Sequence, residues 1–231
     1  MDNATAQKNS SVSSPFRGLG GMGLGRVALS DLGKRFNRDW IFRHVNYNFE
    51  VGKSYAITGP NGSGKSTLLQ AIAGSLHLSE GKLEYNIKQG STAIEPENIY
   101  QYISIAAPYL ELIEEMTARE FLHFHGQFKS LLSSVTVEGI LTEIGLENAM
   151  DKQVRYFSSG MKQRLKLAQA IFSDVPVLLL DEPCTNLDKP GYELYHSLID
   201  KYCLNKLIIV SSNDAMEMDF CSEKLNILDY K

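Results

Sequence analysis

Few cysteines and no long apolar run characterise this sequence of 231 residues. Its three cysteines, Cys184, Cys203 and Cys221, lie in unrelated contexts, which excludes a disulfide framework and predicts a reducing cytoplasm. No stretch of about eighteen apolar residues and no secretory signal are found, so we expect a soluble chain that does not span a membrane. Lysine and arginine are scattered and the formal net charge is −4, which excludes a nucleic-acid-binding stripe.

One glycine-rich segment does carry a recognisable chemistry. Residues 59–67 read Gly-Pro-Asn-Gly-Ser-Gly-Lys-Ser-Thr and fit the pattern G-x-x-x-x-G-K-[ST] of loops that hold nucleotide phosphates. Glycines let the backbone wrap so that successive N–H groups point into one concavity. Lys65 is expected to reach the β- and γ-phosphates, and the Ser66 hydroxyl to bind Mg²⁺. The residues expected to contact the nucleotide here are Gly59, Pro60, Asn61, Gly62, Ser63, Gly64, Lys65, Ser66 and Thr67.

The segments on either side favour this phosphate site over a glycine-rich surface turn. Lys53–Thr58 reads as a short buried strand, and Leu68, Leu69 and Ile72 recur at helical spacing. A strand, a glycine-rich loop and a helix N-terminus together attract an anion, because the helix dipole and the free N–H groups point at the ligand.

The rest of the chain predicts an α/β fold with a flexible tail. Residues 1–25 are rich in Ser, Asn and Gly and bury too little apolar surface to fold, whereas residues 26–231 are expected to form the domain. Two alternating segments, 27–32 and 45–51, predict an N-terminal antiparallel part. Further strands are expected at 82–87, 99–105, 177–180, 207–211 and 224–229, and a helical subdomain at about 106–165.

Two acidic residues directly follow an apolar run. Val177–Leu180 reads as a central parallel strand, and Asp181 and Glu182 follow at its C-terminal end, where α/β sheets bind ligands. A phosphate loop needs Mg²⁺ to bridge phosphate oxygens, and Asp181 supplies a carboxylate for that metal. Glu182 points in another direction and is expected to hold or activate the attacking water. A solvated turn at the strand end is the alternative.

These motifs, in this order, resemble the ATP-binding domain of ABC transporters over about residues 26–231. Gly59 to Thr67 is similar to its Walker A motif and Val177 to Glu182 to its Walker B motif. The sequence Phe-Ser-Ser-Gly-Met at residues 157–161 stands where the family has its Leu-Ser-Gly-Gly-Gln signature. Residues 184–188 resemble its D-loop. The fold implied is that of a P-loop NTPase of the ABC-ATPase type.

The resemblance also implies contacts and partners. It implies a head-to-tail pair, either a homodimer or a pair with another nucleotide-binding subunit, with Mg-ATP between the Walker A motif of one copy and the signature helix of the other. Ser158 and Gly160 are expected at the N-terminus of that helix, where hydroxyl, N–H groups and dipole meet a γ-phosphate. Phe36 stands at the position of the adenine-stacking aromatic residue, although a core or hairpin role fits Phe36 and Trp40 at least as well.

Four positions depart from the family pattern. Ser159 and Met161 replace a glycine and a glutamine of the signature. Ala107 stands where the family has a glutamine that contacts Mg²⁺ and water, and Asn213 where it has a γ-phosphate-sensing histidine. Asparagine can donate a hydrogen bond to phosphate but cannot carry charge or shuttle a proton. We therefore expect firm ATP binding and slow hydrolysis, with Glu182 as base and Asn213 orienting the γ-phosphate.

The function implied is that of the energy-supplying subunit of an ABC transporter, working with an integral membrane permease that is a separate chain. Such a subunit is cytoplasmic and peripheral on the inner face of the membrane. DNA-repair and translation ATPases of this type are disfavoured, because about ninety residues separate Walker A from the signature, too few for a long coiled coil, and one nucleotide domain is present. A dimerisation switch with little hydrolysis stays open. The residues expected to contact the permease are Tyr109, Leu110, Leu112 and Ile113.

Overall fold

The computed structural model describes residues 24–87 and 94–231, and the strands of these residues form two sheets. The first sheet is antiparallel and contains β1 (Leu24–Phe36), β2 (Asp39–Glu50) and β4 (Glu80–Ile87), with β1 in the centre. The second contains β3 (Ser54–Thr58), β5 (Ile103–Ala106), β6 (Val177–Asp181), β7 (Leu207–Ser211) and β8 (Glu223–Asn226). Its order is β5-β6-β7-β3-β8 and every pair is parallel. The predicted α/β fold, with a mainly parallel sheet and an antiparallel N-terminal part, is confirmed.

Five α-helices connect these strands in the described residues. They are α1 (Lys65–Ile72), α2 (Ala118–Phe128), α3 (Val137–Glu143), α4 (Ser159–Ile171) and α5 (Lys189–Tyr202). Shorter 3₁₀ turns lie at Pro96–Gln101, Glu147–Ala149, Val154–Tyr156, Ala215–Glu217 and Ile227–Tyr230. Helix α2 opens on the predicted capping box, in which the Thr117 hydroxyl accepts the Glu120 N–H and Glu120 accepts the Thr117 N–H.

Several element boundaries differ from the sequence prediction, including that of β2, which runs from Asp39 to Glu50 where residues 45–51 were expected. Strand β1 begins at Leu24 and therefore includes the last two residues of the predicted tail, whose residues 1–23 lie outside the described part. The strand expected at 99–105 is largely wrong, because Pro96 opens a 3₁₀ turn through Gln101 and extended backbone begins only at Ile103. The last strand ends at Asn226, whose side chain accepts the Leu228 N–H at 3.2 Å and starts a turn.

The parallel sheet separates two apolar clusters. The cluster that we call helix-side includes Phe121, Ile140, Leu165 and Leu198, and the one that we call loop-side includes Phe42, Tyr55, Leu68 and Ile209. Strand β6 alternates between them, since Leu178 and Leu180 belong to the helix-side cluster and Val177 and Leu179 to the loop-side cluster. Asp181 continues the second alternation and therefore belongs to the side where α1 packs.

Helices α2 and α3 lie between β5 and α4 along the chain. Their buried side chains, such as Phe121 and Ile140, pack into the same cluster as Leu178 of the sheet. The separation of residues 106–165 as a subdomain stays a prediction. Because the five strands are parallel, their C-terminal ends share one edge, where β3, β6 and β7 lead to the phosphate loop, Asp181 and Asn213.

Candidate nucleotide-binding site

The predicted phosphate loop joins β3 to α1, and its backbone is shaped by glycine. Gly59, Gly62 and Gly64 have φ of 147°, 73° and 101°, in the region that other residues rarely adopt. A methyl group on Gly59 would lie 2.6 Å from the Ile227 side chain, and one on Gly64 would collide with Ile41 of β2. The loop is therefore held closely between β2 and the turn that follows β8.

Lys65 folds back over this loop. Its side chain is buried, and the ammonium donates to the carbonyl oxygens of Gly59 at 2.9 Å and Pro60 at 3.2 Å. A third donor meets the Asn213 amide oxygen at 2.9 Å. The positive charge thus lies at the concavity between the loop and the end of β7, where it can reach an anion.

Helix α1 starts without a side-chain cap. Its N-cap residue is Gly64, and within residues 24–87 and 94–231 no side chain caps its first N–H groups. The Ser63 hydroxyl is also buried, and it has no hydrogen-bond partner in the part of the chain that the structure describes. Uncapped N–H groups at a helix start, beside a buried ammonium, fit a bound phosphate.

Asp181 supports the predicted metal site. Its side chain is 2% exposed, and its Oδ1 atom lacks a hydrogen-bond partner among the described residues. A buried carboxylate oxygen of this kind is costly unless a cation or donor meets it. Helix α1 begins with Lys65 and Ser66 and contacts β6, so a hydroxyl and a carboxylate are available at one edge. This oxygen set fits Mg²⁺.

Glu182 has an unusual backbone. Its φ is 44°, which is rare for a residue with a side chain longer than that of Asn. Its N–H donates to the Ser211 carbonyl oxygen at 2.9 Å, so that the bond to β7 holds this conformation. Backbone strain of this kind clusters at functional sites. The conformation turns Glu182 away from the strand direction that Asp181 follows.

Asn213 lies against the phosphate loop. Besides accepting from Lys65, its amide donates to the side-chain oxygen of Asn61. The structure therefore brings this predicted residue together with the loop, although 148 residues separate Asn213 from Lys65 in the sequence. The NH2 group of this amide can donate to a phosphate oxygen in place of Asn61, while the amide oxygen continues to accept from Lys65.

Ser158 and Gly160 occupy a different surface. Ser158 is the N-cap of α4, exposed to solvent, and its hydroxyl accepts the Met161 N–H at 3.3 Å. A methyl group on Gly160 would lie 3.2 Å from the Asn186 carbonyl oxygen. No hydrogen bond between described residues links these two to the phosphate loop of the same chain. Their predicted role depends on a second copy and stays a prediction.

The aromatic residues of the β1–β2 hairpin differ in their surroundings. Phe36 ends β1 and is 47% exposed, with the Lys34 ammonium 4.7 Å from its ring centre. The Trp40 ring instead carries two guanidinium groups, from Arg43 at 4.3 Å and Arg35 at 5.5 Å. Phe36 is thus the aromatic residue with more open surface, and stacking on adenine remains a prediction for it.

The segment after β5 lacks a polar side chain at its first position. Ala107 is fully buried and offers only a methyl group. Tyr109 follows and is partly exposed to solvent. Partial burial raises the pKa of its hydroxyl, the hydrogen bond with Gln70 of α1 lowers this pKa, and the nearby charge of Asp181 raises it. Of the expected permease contacts, Tyr109 and Ile113 are exposed, whereas Leu112 is buried in the helix-side cluster.

Two buried polar residues near the site were missed in the sequence. The Gln163 amide of α4 donates to the Pro183 carbonyl oxygen at 2.6 Å, which ties the signature helix to the segment after Glu182. The Glu217 carboxylate accepts the Cys184 N–H at 2.7 Å, and burial raises its pKa. Gln163 stands inside the signature match, but nothing in the sequence points to Glu217.

Comparisons with known proteins point to one family. The family model described as ABC transporter matches residues 42–185, more than half of the chain. The ABC transporter ATP-binding protein YybJ of Bacillus subtilis is 30% identical over 173 residues, which cover 75% of this chain and 78% of that protein. The cytochrome c biogenesis ATP-binding export protein CcmA of Xylella fastidiosa is 36% identical over 159 residues, 69% and 70% of the two chains.

Solved structures show the same fold. The structure of an ATP-binding subunit of an ABC transporter has a TM-score of 0.76 at 22% identity, covering 87% of this chain and 85% of that one. A putative ABC transporter ATP-binding protein from Pyrococcus furiosus has a TM-score of 0.74 at 19% identity, covering 89% and 99%. The expected P-loop fold of the ABC-ATPase type is therefore confirmed. Family match, relatives and fold together establish that the chain belongs to the ABC transporter family, as one of its ATP-binding proteins.

Proposed function

We propose that this chain binds Mg-ATP and hydrolyses it to power transport through a separate membrane permease. The observation that carries the proposal is the shared sheet edge, where the buried Lys65 ammonium and an Asp181 oxygen without a partner among the described residues lie near the uncapped start of α1. These are the charges and donors that a nucleoside triphosphate and its metal require.

Residues 59–67 hold the phosphates in this proposal. The backbone N–H groups at the start of α1 and the Lys65 ammonium bind phosphate oxygens, and Phe36 stacks on the adenine ring. Ser66 and Asp181 would hold Mg²⁺, which would neutralise negative charge on the triphosphate. Asn61 and Asn213, already paired across the concavity, contact the terminal phosphate.

Glu182 holds the attacking water and accepts its proton. The positive φ of Glu182 supports this role, since it directs the side chain away from the path that Asp181 takes along β6. Asn213 orients the γ-phosphate through its amide. Since an amide cannot take up a proton, hydrolysis is slower than it would be with an imidazole at this position.

A second copy completes the site. Ser158 is exposed and Gly160 is partly exposed at the start of α4, so that they can meet the γ-phosphate bound by another chain. The relatives named above are described as transport or export proteins, which supports a membrane partner for this chain. In the described residues no helix is long and apolar enough to cross a bilayer. The chain then docks on the cytoplasmic face of the permease through Tyr109 and Ile113.

A second candidate function is an ATP-dependent dimerisation switch with little hydrolysis. Two observations favour it: Ala107 is buried and apolar where a polar contact to metal and water is expected, and Asn213 offers an amide. Both candidates require ATP binding, and they differ in turnover.

The experiment is phosphate release by the purified full chain with and without Glu182→Gln. We expect slow but measurable release by the unchanged chain and a fall of about 100-fold in the variant, the size of a general-base contribution. ATP affinity should stay within about twofold, because the amide keeps the size of the carboxylate. Glu193→Gln on the exposed surface of α5 is the matched control and should release phosphate normally.

Each outcome assigns a function. Release that does not respond to Glu182→Gln would contradict the role of Glu182. No release by the unchanged chain, alone or with a permease copurified from its own cells, would favour the switch. An absence of ATP binding to the correctly folded chain would overturn both candidates.

A further inference from the structure

The turn after β8, residues 227–231, contacts both halves of the phosphate loop. At one half, the Ile227 side chain packs where a methyl group on Gly59 would lie. At the other, the Lys231 ammonium donates to the Ser63 carbonyl oxygen at 2.6 Å and to the Ile41 carbonyl oxygen of β2 at 2.7 Å. A lysine thus joins the loop, the antiparallel sheet and the 227–231 turn through two short charge-assisted bonds.

The Ser63 carbonyl belongs to a peptide group that glycine leaves free to rotate. Gly62 and Gly64 flank Ser63, with φ of 73° and 101°. Glycine reaches both signs of φ at similar cost, so the Ser63–Gly64 peptide plane can adopt more than one orientation. In a trans peptide the C=O and the following N–H point in opposite directions. The orientation of the Ser63 carbonyl therefore decides where the Gly64 N–H points.

The two N–H groups of this segment are used differently. The Ser63 N–H donates within the loop, to the Pro60 carbonyl oxygen at 3.1 Å. For the Gly64 N–H, the described residues provide no backbone acceptor outside α1, and Gly64 is the uncapped start of that helix. Its donor is therefore available to a phosphate oxygen when the Ser63 carbonyl is held on the opposite side, toward Lys231 and Ile41.

We propose that Lys231 is a positioning residue of the nucleotide site: by binding the Ser63 carbonyl, it holds the Ser63–Gly64 peptide so that the Gly64 N–H is presented to the polyphosphate. The bond to Ile41 fixes the ammonium, because that carbonyl belongs to β2 rather than to the loop. A cation on a peptide oxygen also polarises the peptide and strengthens its N–H as a donor. The proposal rests on the function proposed above, since it assumes that this loop binds ATP.

The test compares Lys231→Met with Lys224→Met in the full chain. Lys224 is an exposed lysine of β8 on the same segment, so it controls for loss of charge. Lys231→Met should weaken ATP and ADP binding about tenfold, as expected for one charge-assisted hydrogen bond. AMP should lose less, because the loop N–H groups hold the β-phosphate that it lacks. Lys231→Arg should restore most of the affinity.

A direct readout is the backbone amide resonance of Gly64 by NMR without nucleotide. It should shift in Lys231→Met and stay in place in Lys224→Met, with the Gly74 amide as an internal reference. A merely structural role predicts instead an equal loss for AMP and ATP that follows a lower unfolding midpoint. That result, or unchanged ATP affinity in Lys231→Met, would overturn the proposal. Lys65→Ala distinguishes failure of the proposed function from failure of this inference. If the unchanged chain binds no ATP, the proposed function fails. If ATP binding requires Lys65 but not Lys231, only the role of Lys231 is refuted.

Discussion

Two helices of this chain begin at glycine- and serine-containing segments predicted to contact phosphate, and they begin in different ways. Helix α1 starts at Gly64 with no side-chain cap, after a loop with three glycines at positive φ. Helix α4 starts at Ser158, whose hydroxyl accepts the Met161 N–H as in an ordinary capped helix. The first start is enclosed by β2, Asn213 and the 227–231 turn, whereas the second is exposed.

The difference teaches how much of a site one chain contains. Among the described residues, the helix donors at the start of α1 lack a side-chain cap and one Asp181 oxygen lacks a partner, and the Lys65 ammonium is buried beside the loop, which is the arrangement that a bound ligand is proposed to complete. At α4 the Ser158 hydroxyl already satisfies a helix donor. That start is capped within the chain, and its contact with the γ-phosphate bound by a second copy stays a proposal.

The largest effect is expected for Lys65, at the start of α1. Lys65→Ala removes the ammonium that bonds Gly59, Pro60 and Asn213, and should weaken ATP binding by about 100-fold or more, as for loss of a charge-assisted contact. Equilibrium binding of a fluorescent ATP analogue measures it. Lys152→Ala, an exposed lysine before α4, is the control. Equal affinities of the two variants would show that the loop does not hold phosphate.

An intermediate effect is expected for Ser158, at the start of α4. Ser158→Ala should lower the free energy of unfolding by about 1 kcal/mol through loss of the cap, and turnover about tenfold, while one chain binds ATP normally. Thr136 caps α3 in the same way, accepting the Gly139 N–H at 3.0 Å. Thr136→Ala should show the same loss of stability, seen in urea unfolding, with turnover intact. If both variants lose turnover alike, Ser158 has no role beyond its cap.

The smallest effect is expected for Asn213, which contacts the phosphate loop before α1. Asn213→His supplies a group that can take up a proton beside Lys65 and Asn61, and should raise turnover about threefold, below the contribution of a full general base. Phosphate release at pH 7 measures it, and Asn205→His on the surface is the control. An unchanged rate in the folded variant would mean that the amide does not limit hydrolysis.

The strand, glycine-rich loop and helix start around α1 could be predicted from the sequence because their signals are local. Glycines at fixed offsets, the apolar strand before them and the periodic helix after them lie within about twenty residues of each other. The same holds for the run Val177–Leu180 before Asp181. By contrast, the run from Ile99 to Ile105 was predicted to be a strand, whereas the chain forms a 3₁₀ turn from Pro96 to Gln101.

The remaining contacts could not be read from any local pattern. Lys231 meets Ser63 across 168 residues, and Glu217 meets Cys184 across 33. A single lysine or glutamate on the way out of a strand is ordinary in sequence, and its partner is set only when parallel strands bring distant segments to one edge. Gln163 is intermediate, since the signature segment contains it but gives no hint of the Pro183 carbonyl.

The alternation of β6 between the two apolar clusters gives the order of its acids a meaning. Val177 and Leu179 lie on the side of the sheet where α1 packs, and Asp181, two residues further along, has its carboxylate on the same side. Glu182 follows in the turn after the strand. Exchanging the two acids would keep charge and composition and still misdirect both. Inserting one leucine into β6 would do the same while the strand stayed as apolar as before. The side of the sheet on which a β6 residue lies depends on its position along the strand, so the chemistry of the site depends on that position as well as on the residue type.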